Sequence, residues 1–419
     1  MTAGSMVAGA RGRISLRRQQ AYGIFYLALA AIMVLVFGDV EAGAQTTFGM
    51  GVGGDKVPDL VVPSGGTAYV LAALAAMAGA IQLTRGFGAR WAIVMVLMVS
   101  IFSFSFLTWA VAGGGMSLAG LLQSTLQRSV PITFGAMSGI ICERAGVVNI
   151  AIEGMLLSGA FTSAVVASAT GNHWIGIVAA VVTGGLLAAL LAVLAIRYLV
   201  DQIIAGVVIN IFAVGITSFL STRVLTPLPE LNDPERFGPI VIPFLSELPT
   251  VGGILFRQNV FVYACIAAIV LLHYMLFSTR WGLRVRAVGE HPMAADTVGV
   301  NVFYVRYRNV IIGGMLAGLG GAYFTLGSTG SFQQEMTAGR GFIGLAAMIF
   351  GGWAPFGAFA AGIVFGFADA LQSRLSILNI AVPSQFMQMV PYLVTIVVVS
   401  GFVGRVRAPA ADGRPYTKE

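Results

Sequence analysis

Charge is what this sequence has least of. Asp, Glu, Lys and Arg make up 10% of its 419 residues, where a soluble domain carries about 25%. Disorder is excluded as well, because it requires high charge and low hydrophobicity. Lysine is nearly missing: only Lys56 and Lys418 occur, and neither follows a glycine. A Gly-x4-Gly-Lys-Ser/Thr phosphate loop therefore has no place in the chain. The three histidines, His173, His273 and His291, are scattered and form no metal-ligand cluster. The two cysteines, Cys142 and Cys265, lie in apolar runs, which argues against a disulfide framework. No arginine-rich helix resembles a voltage sensor, and no catalytic constellation appears, so no enzyme, metal site or cofactor is expected.

What is present is apolar, at 57% of the residues. The runs fall at 22–38, 67–84, 91–112, 118–142, 147–167, 174–196, 202–220, 259–277, 309–327, 340–352, 355–372 and 385–403. Most are near the ~20 residues with which a helix crosses ~30 Å of hydrocarbon. Membrane β-barrels are built instead from ~10-residue alternating strands. The expectation is an all-α polytopic membrane protein of about twelve transmembrane helices, lying in the lipid bilayer. Residues 1–116 read as an N-terminal extension with about three spans, 117–403 as the core and 404–419 as a tail. The run 340–352 is short but is counted as a crossing, because an even number of spans keeps both basic termini on one side.

The net charge of +7 is read as a positive-inside bias, with no nucleic acid as partner. With the N-terminus in the cytoplasm, only Lys56, Arg223, Arg236, Arg257, Arg340 and Arg374 fall outside, and Arg128 falls within a span. Both termini are therefore expected in the cytoplasm. Arginines, an apolar run and Ala42-Gly43-Ala44 mimic a cleavable signal. The run is longer than a usual signal core, so an uncleaved first span is favoured.

Ionisable groups in lipid are costly and each needs a reason. Arg128 sits beside Ser124 and Gln127, with Pro131 nearby. Asn149 and Glu153 are four apart and are expected to share a helix face. Asp369 lies near the end of its run, and Asn210 sits in the middle of 202–220. These five are candidates for a polar substrate pathway. The structural alternatives are interhelical hydrogen bonds or a buried Arg128–Glu153 pair. Small residues spaced by four, Gly135/Gly139, Gly314/Gly318 and Gly362/Gly366, mark close helix packing. The loop 278–308 places Arg280, Arg284 and Arg286 before Pro292, which suits a first helical turn, and Gly299, which suits a helix end. This predicts a short helix held at the cytoplasmic surface.

The stretch Cys142-Glu143-Arg144-Ala145-Gly146-Val147-Val148-Asn149-Ile150-Ala151-Ile152-Glu153-Gly154-Met155 resembles the signature of nucleoside and simple-sugar ABC importer permeases. That group also takes in ribose and branched-chain amino acid permeases. Trp281 through Glu290 and on to Asn301 resembles their cytoplasmic coupling loop, and Gly351-Gly352-Trp353-Ala354-Pro355-Phe356-Gly357 matches a third motif. The resemblance covers about 117–403. It implies a permease without its own ATPase, with ATP bound by partner subunits. The implied partners are two cytoplasmic ABC ATPase domains, a second permease that is often a different chain, and a solute-binding lipoprotein, at the bacterial cytoplasmic (inner) membrane. Arg284, Arg286, Glu290, Ala294, Ala295 and Gly299 would form the ATPase coupling loop. Asn149 through Gly154 favours nucleosides over ribose. Ala151 departs from the glycine that relatives often carry, which puts only local packing in question. The competing readings are an ion-coupled secondary transporter using Asp369 or Glu153 as a proton site, a permease for ribose or branched-chain amino acids, and a membrane scaffold.

Overall fold

The computed structural model describes residues 16–41, 43–52, 57–377, 389 and 407–418. The run expected at 385–403 lies outside these residues. The chain is mostly helical, and nine helices among the described residues are long and apolar enough to cross a membrane. Of the expected runs within the described residues, nine are such helices, and two more form a long polar helix and a short one described below.

The chain forms two compact units, divided between Gly120 and Leu121. In the first unit, α1 (Leu16–Ile32) runs on through a π-helical turn, Met33–Phe37, and is followed by α2 (Ser64–Thr84) and α3 (Trp91–Ala110). Phe37 anchors the three, with its ring 5.4 Å from Phe102 and 5.7 Å from Phe106. Tyr22 stacks on Trp91 at 5.4 Å. The mostly helical chain carries a little sheet here, which the expectation of an all-α chain did not include. β1 (Gln45–Gly49) pairs antiparallel with β2 (Leu60–Pro63) and parallel with β3 (Gly115–Ser117). The buried Thr46 hydroxyl donates to the Thr108 carbonyl (2.8 Å) and bonds the Ser64 hydroxyl (2.8 Å), which ties the sheet to α2 and α3.

The second unit is a helical bundle: α4 (Leu118–Arg144), α5 (Ile152–Thr170), α6 (His173–Ala192), α7 (Gln202–Leu220), β4 (Ile240–Val241), β5 (Arg257–Gln258), α8 (Val260–Ser278), α9 (Arg280–Glu290), α10 (Pro292–Thr297), α11 (Val302–Ala322), α12 (Arg340–Phe350) and α13 (Pro355–Ile377). β4 and β5 form a two-stranded antiparallel ribbon, a further departure from all-α. α4 is long enough to span but carries Arg128, Glu143 and Arg144. Pro131 sits inside it, and its Thr125, Ser129 and Thr133 hydroxyls donate to carbonyls three or four residues back.

Small residues set the bundle's spacing, as expected of the three glycine pairs. A Cβ at Gly314 or Gly318 would collide with the Gly184 and Ala180 carbonyls of α6. Gly135 faces Gly341 and Gly344, and Gly362 and Gly366 lie against Thr133 and Ser129 of α4. The outer surfaces of α6 and α7 expose Val178, Val182, Leu186, Ile204, Val208 and Ile211. Apolar side chains turned outward and small ones turned inward are the arrangement suited to lipid.

Two backbone stretches in this bundle are not helical. The run expected from 147 starts its helix only at Ile152. The short run makes an 11-residue helix, α12. At ~1.5 Å per residue it reaches roughly half of a ~30 Å core. A non-helical connection, 331–339, leads into it from the end of α11. The crossing expected of 340–352 is therefore a broken one: an irregular piece followed by a half-helix.

Candidate functional site: a discontinuous crossing and a surface loop

Irregular backbone inside a bilayer must be satisfied by protein, because lipid offers no hydrogen bonds. Residues 147–151 meet this condition through side chains. Gly146 adopts φ +83° at the turn out of α4. The Val148 amide donates to the Gln202 side-chain oxygen (2.7 Å). Asn210 donates to the Ile150 carbonyl (2.8 Å) and accepts from the Gly154 amide (2.8 Å). Asn149 accepts from the Ala151 amide (3.1 Å) and donates to the Ser138 hydroxyl (3.3 Å). Asn149 thus precedes α5 and does not share a helix face with Glu153, contrary to expectation. Its short amide competes successfully with the helix for the local backbone.

Glu153, in the first turn of α5, makes the link between the two irregular stretches. Its carboxylate accepts from the Gly339 amide (2.8 Å) and the Gly341 amide (2.6 Å). Those amides open α12, so the carboxylate caps the half-helix at its positive end. The contact is tight, since a Cβ on Gly341 would lie 2.6 Å from the Glu153 backbone. Gly339 has φ +78°, and Ala338 and Glu335 are also left-handed, which turns the chain sharply into the helix.

The buried Arg128–Glu153 pair weighed above does not form. Arg128 Nη1 meets Asp369 Oδ1 at 3.1 Å, and Arg340 Nη2 meets Asp369 Oδ2 at 2.8 Å. One carboxylate on α13 bridges two guanidiniums, from α4 and from the start of α12. Arg340 lies next to the Glu153 cap, with its guanidinium 5.7 Å from the Phe324 ring. Its signal in the sequence was the glycine on either side, Gly339 and Gly341, where a half-helix can start. Gln202 was also missed. It shares a face with Gly206 and Asn210 at intervals of four, a polar-small-polar stripe on an otherwise apolar helix.

At its other end, α12 runs into Trp353. The Trp353 indole donates to Glu143 Oε2 (2.6 Å), and its carbonyl accepts from Arg144 Nη2 (3.0 Å). The motif at 142–155 therefore touches α12 at both ends, and meets the motif at 351–357 at the second of them.

The loop after α8 forms as expected around its proline and glycine. α10 has Pro292 at its first position, His291 Nδ1 accepting from the Ala294 amide (3.2 Å), and Gly299 just past its end at φ +84°. Arg284 and Arg286 lie on the preceding helix α9. Ala295 is buried, whereas Ala294 and Glu290 are exposed beside the apolar Met293 and Val298. α9 is seated directly on α4: a Cβ at Gly289 would collide with the Arg144 carbonyl. The C-terminal residues strap this region. Ala411 donates to the Gly289 carbonyl (2.9 Å), Arg306 to the Arg414 carbonyl (3.1 Å), and Lys418 pairs with Asp296 (3.3 Å). Tyr416 packs 5.4 Å from Phe303.

Residues 121–399 match the family described as branched-chain amino acid transport system, permease component. The chain belongs to this family. It is 40% identical over 312 residues to the guanosine ABC transporter permease protein NupQ of Bacillus subtilis, covering 72% of this chain and 97% of that protein. It is 38% identical over 308 residues to the nucleoside ABC transporter permease protein NupC of Lactococcus lactis, covering 71% and 96%. A third relative, at 35% over 328 residues (72% and 98%), is the putative glucose ABC transporter permease protein TsgC13 of Haloferax volcanii. No solved structure matches. The permease is a multi-pass membrane protein whose family carries out transport, and the match begins one residue after the boundary between the two units.

Proposed function

We propose that this permease forms the transmembrane path of an ATP-driven importer of nucleosides in the bacterial cytoplasmic membrane, with both termini in the cytoplasm. The observation that carries the reading is the half-helix α12, fastened by Glu153 at one end and by Trp353 at the other. A broken helix inside a bundle is the usual setting of a solute site in a transporter. The sequence likeness to guanosine and nucleoside permeases supports the substrate class. A nucleoside is uncharged and rich in hydrogen-bonding groups. Arg128, Arg340 and Asp369 neutralise one another in part and keep donors to spare, and Asn149, Glu153 and Asn210 hold the surrounding backbone. A related sugar is the second reading, supported by the likeness to the glucose permease protein.

ATP is bound and hydrolysed by partners. α10 and the exposed Met293, Ala294 and Val298 offer a small apolar knob to a groove on an ABC ATPase. Arg284, Arg286, Glu290, Ala295 and Gly299 shape that knob and its base. The contact of Gly289 with the Arg144 carbonyl, and of Arg144 with Trp353, gives a mechanical route from the knob to α12. A second permease completes the membrane unit, and the presence in Bacillus subtilis of two different guanosine ABC transporter permease proteins, NupQ and NupP, both similar to this chain, supports a different chain in that place. A solute-binding lipoprotein delivers substrate from outside. The test is Ala294→Arg. Co-purified ATPase should be lost while the permease still elutes as a folded species, and unchanged assembly would refute the docking role.

A further inference from the structure

A cleft of about 460 Å³ lies between α9 and the start of α11, lined by Trp281, Arg284, Asn301, Tyr304, Arg308 and Asn309 among others. Three features give it one electrostatic sign. Arg284 and Arg308 enter it from two helices, and neither has an ion pair or hydrogen bond among the described residues. The first turn of the 21-residue helix α11 forms part of its wall, and a helix N-terminus favours anions. The Trp281 indole N–H is buried without a partner, and an indole nitrogen is a donor only. No lining residue is acidic, and Asp296 nearby is already held by Lys418. Asn309, 1% exposed, adds an acceptor, because its side-chain oxygen is also buried without a partner.

We propose that this cleft binds a phosphate group bearing a neighbouring hydroxyl or ammonium donor, the chemistry of a glycerol or ethanolamine phospholipid headgroup. The two guanidiniums and the indole donate to the phosphate oxygens. The adjacent hydroxyl or ammonium donates to Asn309. Basic pockets between helices at the cytoplasmic side are natural headgroup sites, and the cleft opens at the end of the bundle that carries the surface loop. The site is separate from the Glu153–Asp369 region, so its test needs no transport, and it borders the docking loop, with which it shares Arg284, Val298 and Gly299.

The experiment is native mass spectrometry of the transporter as purified with its co-eluting subunits, titrated with palmitoyl-oleoyl phosphatidylglycerol and, separately, with phosphatidylcholine. One tightly held phosphatidylglycerol per permease is expected, with at least tenfold weaker retention of phosphatidylcholine. Arg308→Gln and Trp281→Phe should each lower phosphatidylglycerol retention about tenfold, and Arg308→Lys should restore most of it. Displacement of the lipid by millimolar inorganic phosphate would assign the same site to a soluble phosphate, and resistance assigns it to the headgroup. Equal retention by wild type, Arg308→Gln and Arg308→Lys would overturn the proposal. The two Arg308 variants keep that outcome readable even if Trp281→Phe misfolds.

Discussion

Glu153 faces two backbone amides at the head of α12 and, among the described residues, no side-chain cation of its own. A carboxylate in that position holds backbone geometry first, and any effect on solute follows from it. Glu153→Ala leaves two buried donors unmade, at about 1–3 kcal/mol each. Uptake should fall at least tenfold and the thermal midpoint should drop. Glu153→Gln retains one acceptor and should lose less on both readouts, which paired uptake and thermal-shift measurements would check. Asn210→Ala orphans the Gly154 amide and the Ile150 carbonyl together, and a fall in thermal midpoint of similar size is expected. That these polar residues matter was legible from their cost in lipid. Their partners were not. Pairing Arg128 with Asp369 and not Glu153 depends on where a half-helix starts, and spacing along the chain does not carry that information.

At the scale of elements, the sequence marked α10 as bounded by proline and glycine, which holds, and it showed α12 as short while still counting it as a crossing. The late start of α5 was hidden, because residues 147–151 are as apolar as a helix. Besides Asn149 within the stretch, the side chains of Gln202 and Asn210, fifty and more residues away, make the irregular backbone tolerable. The small strands around Thr46 escaped notice because they are short and pair across distant segments. The C-terminal strap gives a prediction of its own. Burial raises the Asp412 carboxyl to about 6, against the opposing effects of its hydrogen bond with Glu143 and the Arg306 charge. A carboxyl whose docked value is raised favours docking in its protonated form. The contribution is therefore full below the usual carboxyl range near pH 4 and is lost as pH rises through about 6. Proteolysis at Arg414 should be slower at pH 5 than at pH 7.5. Asp412→Asn should abolish that difference and protect the strap at both values, and an unchanged pH dependence in the variant would exclude Asp412 as its source.

For the whole molecule, scarcity of charge placed the chain in lipid, and the near absence of lysine removed a phosphate loop of the Gly-Lys type from it. Apolar periodicity does not distinguish a full crossing from an irregular piece followed by a half-helix, which is why 340–352 read as an ordinary, if short, span. The central claim is that solute moves through this bundle at the expense of ATP hydrolysed by docked partners. It is tested most directly by uptake of labelled guanosine into proteoliposomes holding the assembled transporter and its binding protein. The account predicts uptake that requires ATP, survives collapse of the proton gradient, and is competed by other nucleosides but not by leucine. Uptake that proceeds without ATP and stops when the proton gradient is collapsed would contradict it.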